Sequence, residues 1–313
     1  MFDSIAGNAP IKSYLKKALQ ENQLPQTLLF SGPAGVGKAL FAKTLAAHLL
    51  KSEFHRIEKE NHPDFHVVRP EGKSGLFSID TLREMIGIGH SAPFESIAKV
   101  FILEDAERMQ PAAANAILKT LEEPALDATF ILISSAPQEM LPTILSRCVQ
   151  LSFQPVPEES IAELLEKRGL PQKYAKLCGG SVGRAVELAT FPQMEEQRTA
   201  LFRLLSAKPK YPELSKQLEK FEEAIEEGKE EDPLRAHALA ENLFSHILMW
   251  YRDQHLKKLH PHSESLFFPE EPAVDFTLPS LQEVEKKLDQ SRFAYHRNIK
   301  LSVCLANFLF EQK

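Results

Sequence analysis

A glycine-rich turn between an apolar run and a helical run constrains this chain most. Thr27-Leu-Leu-Phe-Ser31 predicts a buried strand, and Ala39 to Leu50 predicts a helix. Between them, Gly32 to Lys38 has the spacing of a phosphate-binding P-loop, G-x-x-x-x-G-K-[ST]. The N–H groups of such a loop and the N-terminus of the following helix face one point and bind phosphate there. The sequence therefore predicts an α/β fold with a nucleotide site.

The predicted nucleotide site departs from the motif at one position. The predicted contacts to ATP or ADP are Gly32, Pro33, Ala34, Gly35, Val36, Gly37, Lys38 and Ala39. Ala39 stands where the motif has Ser or Thr, whose hydroxyl binds Mg²⁺. We therefore expect the loop to retain its phosphate contacts and to support hydrolysis poorly. A glycine-rich turn in which Lys38 binds no ligand is the alternative.

A second element of the predicted site, an acidic pair, is also altered. The apolar run Lys99-Val-Phe-Ile-Leu103 is followed by Glu104 and Asp105, in reverse order from the Asp-Glu pair typical of such ATPases. These carboxylates hold Mg²⁺ and orient the attacking water. Each is then displaced by about a methylene, and displacements of about 1 Å cost about a hundredfold in rate. The sequence therefore predicts that Glu104 and Asp105 form a degraded catalytic pair.

Apolar runs alternate with helical patterns in the first half of the chain. The predicted strands are Thr27–Ser31, Asp64–Val68, Lys99–Leu103, Thr129–Ser134 and Val149–Phe153. This alternation predicts a five-stranded parallel sheet with helices on both faces. Beyond Phe153 the patterns are helical. We predict an α/β domain over residues 1–154, a small helical domain over 155–191 and a larger helical domain over 192–313.

The composition indicates an ordinary globular protein. The chain of 313 residues is 43% hydrophobic and 26% charged, and its net charge of -6 argues against a surface that binds nucleic acid throughout. Cys148, Cys178 and Cys304 form no C-x-x-C pair, which favours a reducing compartment. No apolar run approaches the roughly 20 residues that span a bilayer, and the N-terminus lacks a signal-peptide pattern. We expect a cytoplasmic protein without a membrane partner.

Three motifs give the chain a specific resemblance. Ala113-Ala-Asn115-Ala-Ile-Leu-Lys119-Thr-Leu-Glu-Glu-Pro124 and Thr143-Ile-Leu-Ser146-Arg147-Cys148 resemble the N-A-L-L-K-x-L-E-E-P helix and the Ser-Arg-Cys motif of the AAA+ clamp-loader family. His62-Pro-Asp-Phe65 is similar to a segment of the same family. The resemblance is strong over residues 1–190 and looser in the helical tail. It implies an AAA+ P-loop domain, a helical lid and an oligomerising collar over 192–313.

The resemblance also implies a function in DNA replication. The family forms five-membered rings that open a sliding clamp and place it on primed DNA. The chain would join gamma/tau-type and delta-type subunits of the bacterial DNA polymerase III clamp loader, and would meet clamp and DNA through the complex. A catalytically active gamma-type ATPase and an AAA+ regulator outside replication are the alternatives.

Site roles follow from the same resemblance. Arg147 would be an arginine finger, supplied in trans to the nucleotide of a neighbouring subunit. Arg184 would be the second sensor arginine, and Ser134 with Ser135 would occupy the first sensor position. The alternative for Arg147 is a surface arginine paired with a carboxylate. The alternative for Arg184 is an arginine that serves a helix dipole.

One expected cofactor of the family is missing from the sequence. The family that the chain resembles usually carries a four-cysteine zinc module between the P-loop and the His-Pro-Asp segment, but residues 51–61 contain no cysteine. His55, His62 and His66 are a poor substitute, because structural zinc sites favour closed sets with thiolates. We therefore expect no zinc.

Overall fold

The chain folds as two compact units, residues Met1–Val186 and Glu187–Lys313. The computed structural model describes residues 1–70, 75–125, 127–191, 194–207, 216–223, 226, 233–260, 263–297 and 299–310, with backbone alone for 233–238. Residues 192 and 193, where we set the boundary of the last predicted domain, lie outside the described residues, and the division into three domains stays a prediction.

A five-stranded parallel sheet forms the centre of the first unit. Its strands are β1 (Thr27–Ser31), β2 (Phe65–Val68), β3 (Lys99–Leu103), β4 (Ala128–Ser134) and β5 (Val149–Ser152). Their order is β2-β3-β4-β1-β5, and all neighbours are parallel. Strands β1, β3 and β4 are buried along their length, which explains their continuous apolar runs. The predicted parallel sheet is confirmed, with ends shifted by one residue at most.

Helices cover both faces of this sheet. The helices from the start of the chain to the end of this unit are α1 (Ala9–Gln20), α2 (Lys38–Leu49), α3 (Phe54–Glu58), α4 (Ile79–His90), α5 (Pro111–Glu122), α6 (Pro142–Leu145), α7 (Glu158–Lys167) and α8 (Val182–Thr190). On one face, Phe41 of α2 packs edge-on against Phe153, with ring centroids 5.1 Å apart. On the other, Phe101 and Phe130 stack at 4.8 Å within the core that α4 and α5 complete. Two apolar cores therefore fix the sheet between helical layers.

The parallel arrangement brings three loops to one edge of the sheet. Ser31 is in register with Ser134 and Leu103 with Leu132, so β1 and β4 end at the same level and β3 ends two residues earlier. Ligands of open α/β sheets bind beyond the carboxyl ends of the strands. The P-loop, the segment after Leu103 and the segment after Ser134 therefore form one candidate site.

Two buried charged groups order the loop between α4 and β3. The Asp64 carboxylate is 2% exposed and accepts hydrogen bonds from the N–H groups of Phe94, Glu95 and Ser96 at 2.6 to 2.9 Å. The buried Lys99 ammonium donates to the carbonyls of Ile88 and Gly89 at the end of α4, at 2.7 and 3.1 Å. Backbone groups that no sheet or helix pairs thus find side-chain partners.

The second unit is helical. Its described helices are α9 (Met194–Ala207), α10 (216–223), α11 (Pro233–Leu259), α12 (Leu281–His296) and α13 (Leu301–Phe310). Trp250, Leu288 and Leu305 are fully buried in its core. A capping box between Ser280 and Glu283 starts α12. The predicted helical C-terminal region is confirmed.

A segment of the second unit without helix or strand, residues 263–279, is held against α11 by buried polar side chains. Asp253 accepts from Phe268 N–H at 2.6 Å, and Lys257 donates to the Phe268 carbonyl at 2.7 Å. Gln254 accepts from Val274 N–H at 2.9 Å. These side chains satisfy backbone groups that have no secondary structure of their own.

Across the described ranges, no helix combines the length and the apolar character that a membrane span requires.

We expect Asp64→Asn to lower the free energy of unfolding by about 2 to 3 kcal/mol, because an amide nitrogen would face at least one of the three N–H donors. Burial acts to raise the pKa of the Asp64 carboxyl, but the backbone donors outweigh it and the pKa is lowered. The stabilisation is therefore present above the unfolded-state pKa and is lost as pH falls through the folded-state value.

Urea unfolding of wild type and variant at pH 7 and at acid pH measures this. Asp80→Asn, at a side chain that is 91% exposed, is the control. Equal stability of Asp64→Asn and Asp80→Asn at pH 7 would contradict the expectation.

Candidate nucleotide-binding site

The P-loop has the backbone geometry of a phosphate cradle. Gly32, Gly35 and Gly37 have φ values of 139°, 74° and 101°, which favour glycine. A Cβ on Gly32 would lie 2.3 Å from the carbonyl oxygen of Phe153, so no side chain fits there. The first hydrogen bond of α2 runs from Phe41 N–H to the Gly37 carbonyl at 2.9 Å. The N–H groups just before it have no intrahelical acceptor and suit a phosphate.

A cavity of about 460 Å³ opens beside this loop. Its lining includes Gly35, Lys38, Ala39, Glu104, Asp105, Ser135, Arg168 and Gly183. The fold thus brings the predicted P-loop and acidic residues together. Ser134, Arg147 and Arg184 are not among the residues that line it.

Lys38 turns its ammonium group towards the P-loop itself. The side chain donates to the carbonyls of Gly32 and Pro33, the latter at 2.7 Å, and lies 3.4 Å from Ser135 Oγ. Burial lowers the pKa of Lys38, and the carboxylates of Glu107 and Asp105 oppose that shift. A bound phosphate would have to replace the carbonyl contacts.

Glu104 is bound by an arginine. Its Oε2 accepts from Arg69 Nε at 2.8 Å, and Arg69 also donates to Glu60 at 3.0 Å through Nη1. Hydrogen bonds from Arg69 and then Lys43 lower the pKa of Glu60 to about 2. The first predicted acidic residue is thus part of a surface ion-pair network, and its contact is with Arg69.

The remaining acidic residues lie nearer to Lys38. Asp105 has a left-handed backbone, with φ of 52°. Burial and then the Glu107 charge raise the pKa of its carboxyl. Glu107 Oε1 accepts from Ser135 N–H at 3.1 Å, and its buried Oε2 has no hydrogen-bond partner among the described residues. Glu107 was missed from the sequence, since no motif position marks an acid two residues beyond Asp105.

The start of α8 closes one side of the P-loop. Gly183 N–H donates to the Gly35 carbonyl at 3.0 Å, and a Cβ on Gly35 would lie 2.0 Å from Ser181 Oγ. Arg184 N–H donates to Ser181 Oγ at 3.3 Å. The arginine that lines the cavity is Arg168, directly after α7. Arg168 belongs to no sequence motif, so the sequence analysis predicted Arg184 and not Arg168 as the arginine of this site.

The first sensor position is divided between two serines. Ser134 is fully buried, and its Oγ accepts from Ala136 N–H at 3.2 Å. Ser135 extends beyond the strand and reaches Lys38. Of the two predicted residues, Ser135 therefore faces the cavity.

Arg147 follows the short helix α6 and forms an ion pair within the chain. Its Nε and Nη2 donate to Glu122 Oε2 at 3.1 and 2.9 Å, and its Nη1 donates to the Thr143 carbonyl at 2.9 Å. This is the carboxylate pairing that the sequence left open as an alternative. The side chain of Arg147 remains 28% exposed.

No cluster of three or more His, Cys, Asp or Glu side chains suited to a metal ion occurs among the described residues.

The chain is similar to known subunits of DNA polymerase III. Residues 7–157 match the family described as DNA polymerase III, delta subunit. The chain is 33% identical over 209 residues to DNA polymerase III subunit delta' of Bacillus subtilis, which covers 62% of this chain and 63% of that protein. It is 37% identical over 174 residues to subunit delta' of Pseudomonas aeruginosa, with 49% and 52% covered. The chain is thus similar to the delta-prime subunits of DNA polymerase III over most of its first unit.

These matches confirm the resemblance drawn from the N-A-L-L-K-x-L-E-E-P helix and the Ser-Arg-Cys motif. The chain spans between about half and two thirds of the length of these two relatives. Among solved structures, a DNA polymerase III gamma subunit-related protein of Thermotoga maritima aligns with 95% of this chain and 98% of its own, at 19% identity and a TM-score of 0.47.

We expect the Cys148 thiol of the Ser-Arg-Cys motif to be unreactive in the native protein. Burial raises the pKa of Cys148 to about 12, which lowers its thiolate fraction near pH 8 by about a thousandfold. Alkylation by iodoacetamide, followed by peptide mass spectrometry, measures the rate at Cys148 itself. The same peptide in urea is the control, and a native rate close to the unfolded one would show that the thiol is not suppressed.

Proposed function

We propose that this chain acts in DNA replication as a subunit of the DNA polymerase III clamp loader. In this proposal its own nucleotide site binds ATP or ADP but hydrolyses poorly, and Arg147 serves the nucleotide of a neighbouring subunit. The first part is supported by the match to the family described as DNA polymerase III, delta subunit, and by similarity to relatives named DNA polymerase III subunit delta'. The geometry of the chain's own site supports the second.

The observation that carries the proposal is the pairing of Glu104 with Arg69 beside a P-loop that lacks a hydroxyl at Ala39. Phosphates would be held by the loop N–H groups, the α2 N-terminus and Lys38. Mg²⁺, when bound with nucleotide, neutralises charge that develops on the phosphates. The residues that would anchor it here are altered at Ala39 and occupied at Glu104. Nucleotide binding by this site is thus retained better than ATP hydrolysis.

Arg147 suits a role in trans. A guanidinium is always charged and presents a planar set of donors to phosphate oxygens. The side chain lies at the end of α6, partly exposed, and is not among the residues that line this chain's own cavity. A finger in that position serves a nucleotide bound by another subunit.

The helical unit is the proposed assembly region. We assign residues 192–313 to a collar that packs against gamma/tau-type and delta-type subunits, with sliding clamp and primed DNA met through the complex. Exposed apolar side chains support this: Phe293 is 63%, Val303 45% and Ile299 43% exposed. The proposed complex acts in the cytoplasm.

We expect the isolated chain to hydrolyse ATP at a negligible rate, and Ala39→Thr alone not to restore activity, because Glu104 stays bound to Arg69. Steady-state phosphate release by the purified chain and this variant measures it, with Lys38→Ala as the control for a contaminating ATPase. Turnover of about one per second that Lys38→Ala abolishes would instead favour a gamma-type ATPase, which the intact Gly32 to Lys38 loop also fits.

We expect Arg147→Ala to leave assembly intact and to lower ATP hydrolysis by the reconstituted complex at least about tenfold at the site that receives it. Arginine fingers elsewhere contribute about 10³ to 10⁵ in rate. The measurements are single-turnover hydrolysis and clamp loading by a complex in which only this residue is changed, with native mass spectrometry to check assembly. Wild-type values for both activities would show that Arg147 is a surface arginine.

A further inference from the structure

Only some of the N–H donors of the Arg147 guanidinium are used in hydrogen bonds within the described part of the chain. Arginine has five N–H donors in one plane. Nε and one N–H of Nη2 are directed to Glu122 Oε2, at 3.1 and 2.9 Å. One N–H of Nη1 is directed to the Thr143 carbonyl at 2.9 Å, while a contact of 3.5 Å from Nη1 to Ser146 Oγ lies beyond the usual hydrogen-bond range.

The donors that remain lie on the two terminal nitrogens. Glu122 takes the side fork of the guanidinium, made by Nε and Nη2, and the Thr143 carbonyl takes one N–H of Nη1. One N–H on each terminal nitrogen is therefore left, and the two terminal nitrogens form the end fork of the guanidinium. That end fork has the spacing to bind two oxygens of a phosphate or carboxylate.

Both holding groups are fixed by the fold. Glu122 is the last residue of α5, whose Ile117 and Leu121 are buried against the sheet. Thr143 lies in α6, which Ile144 anchors in the same core. The guanidinium is therefore clamped between two elements of one rigid layer.

The ion pair is a poor source of stability. Glu122 is 58% exposed and Arg147 28% exposed, and exposed pairs contribute little because solvent screens them. A carboxylate beside a phosphate-binding arginine also opposes phosphate binding by its charge. The geometry instead supports a role for the Glu122 carboxylate in setting the direction in which the Arg147 guanidinium points.

We propose that Glu122 is a positioning residue for Arg147. It holds the side fork of the guanidinium so that the end fork faces the phosphates of the neighbouring subunit's ATP. This inference rests on the proposed function of Arg147 in trans. Thr143 assists through its carbonyl, which substitution of its side chain does not remove.

The inference predicts a specific order among variants of Glu122. Glu122→Ala frees the side fork, so ATP hydrolysis by the receiving subunit falls about fivefold or more in kcat, since misplacement of a catalytic group by about 1 Å is costly. The KM for ATP changes little, because that subunit's own P-loop binds the nucleotide. Glu122→Gln keeps an oxygen acceptor for Nε and Nη2 and retains activity within about twofold.

The experiment uses the complex reconstituted with gamma/tau-type and delta-type subunits, assayed for ATP hydrolysis with clamp and primed DNA. The adjacent exposed Glu123 provides the matched control, and Glu123→Ala should equal wild type. The double variant Glu122→Ala with Arg147→Ala should be no slower than Arg147→Ala alone, because Glu122 acts through Arg147.

The outcomes separate the two proposals. If Arg147→Ala equals wild type, the function in trans is wrong. If Arg147→Ala is slow while Glu122→Ala equals wild type, or if the two losses add in the double variant, only the positioning inference is wrong. Equal losses in Glu122→Gln and Glu122→Ala would also overturn it.

A measurement on the isolated chain does not depend on assembly. The Arg147 Nε–H signal in a ¹H–¹⁵N spectrum should exchange with water about tenfold more slowly in wild type and in Glu122→Gln than in Glu122→Ala. Equal exchange rates in wild type and Glu122→Ala would show that Glu122 does not hold the guanidinium.

Discussion

The hydrogen bonding of β1 between β4 and β5 is the interaction on which the first unit depends. This pairing places the P-loop in contact with the segment after β5, where Gly32 meets the Phe153 carbonyl so closely that any side chain is excluded. The same pairing brings Ser135 to Lys38. The loop geometry thus follows from the strand order as much as from the glycines, because the sheet fixes both ends of the loop.

The candidate site and the proposed finger differ in what their charged groups contact. In the site, the ammonium of Lys38 binds loop carbonyls, and the carboxylate of Glu104 binds Arg69. Each group that would act on a nucleotide is already engaged with the protein. At the proposed finger, Glu122 and the Thr143 carbonyl hold Arg147 but leave one N–H on each of its terminal nitrogens. This asymmetry is the physical basis for assigning binding to the one and a contribution to hydrolysis to the other.

Much of the fold was predictable because its signals are local. Buried parallel strands need continuous apolar runs, and the strand predicted at Lys99–Leu103 is observed with those ends. Side-chain contacts between residues that are far apart in the sequence were not predictable. Arg168 reaches the cavity, Glu107 binds Ser135 N–H and Arg69 binds Glu104 only through the tertiary fold. The P-loop residues were found from a motif, whereas the contacts that occupy them depend on packing that one sequence does not encode locally.

The anchoring of residues 263–279 determines how easily a protease can cleave the second unit at this segment. Side chains from one end of α11 bind its backbone, among them Asp253, Gln254 and Lys257. Proteases bind their substrates as extended chains and must first free such a segment from its partners. The resistance of residues 263–279 to cleavage therefore depends on the stability of α11, which supplies the side chains that bind them. Because the anchors lie within five residues of one another on α11, fraying of that helical end would release the whole segment at once and give a protease access to it.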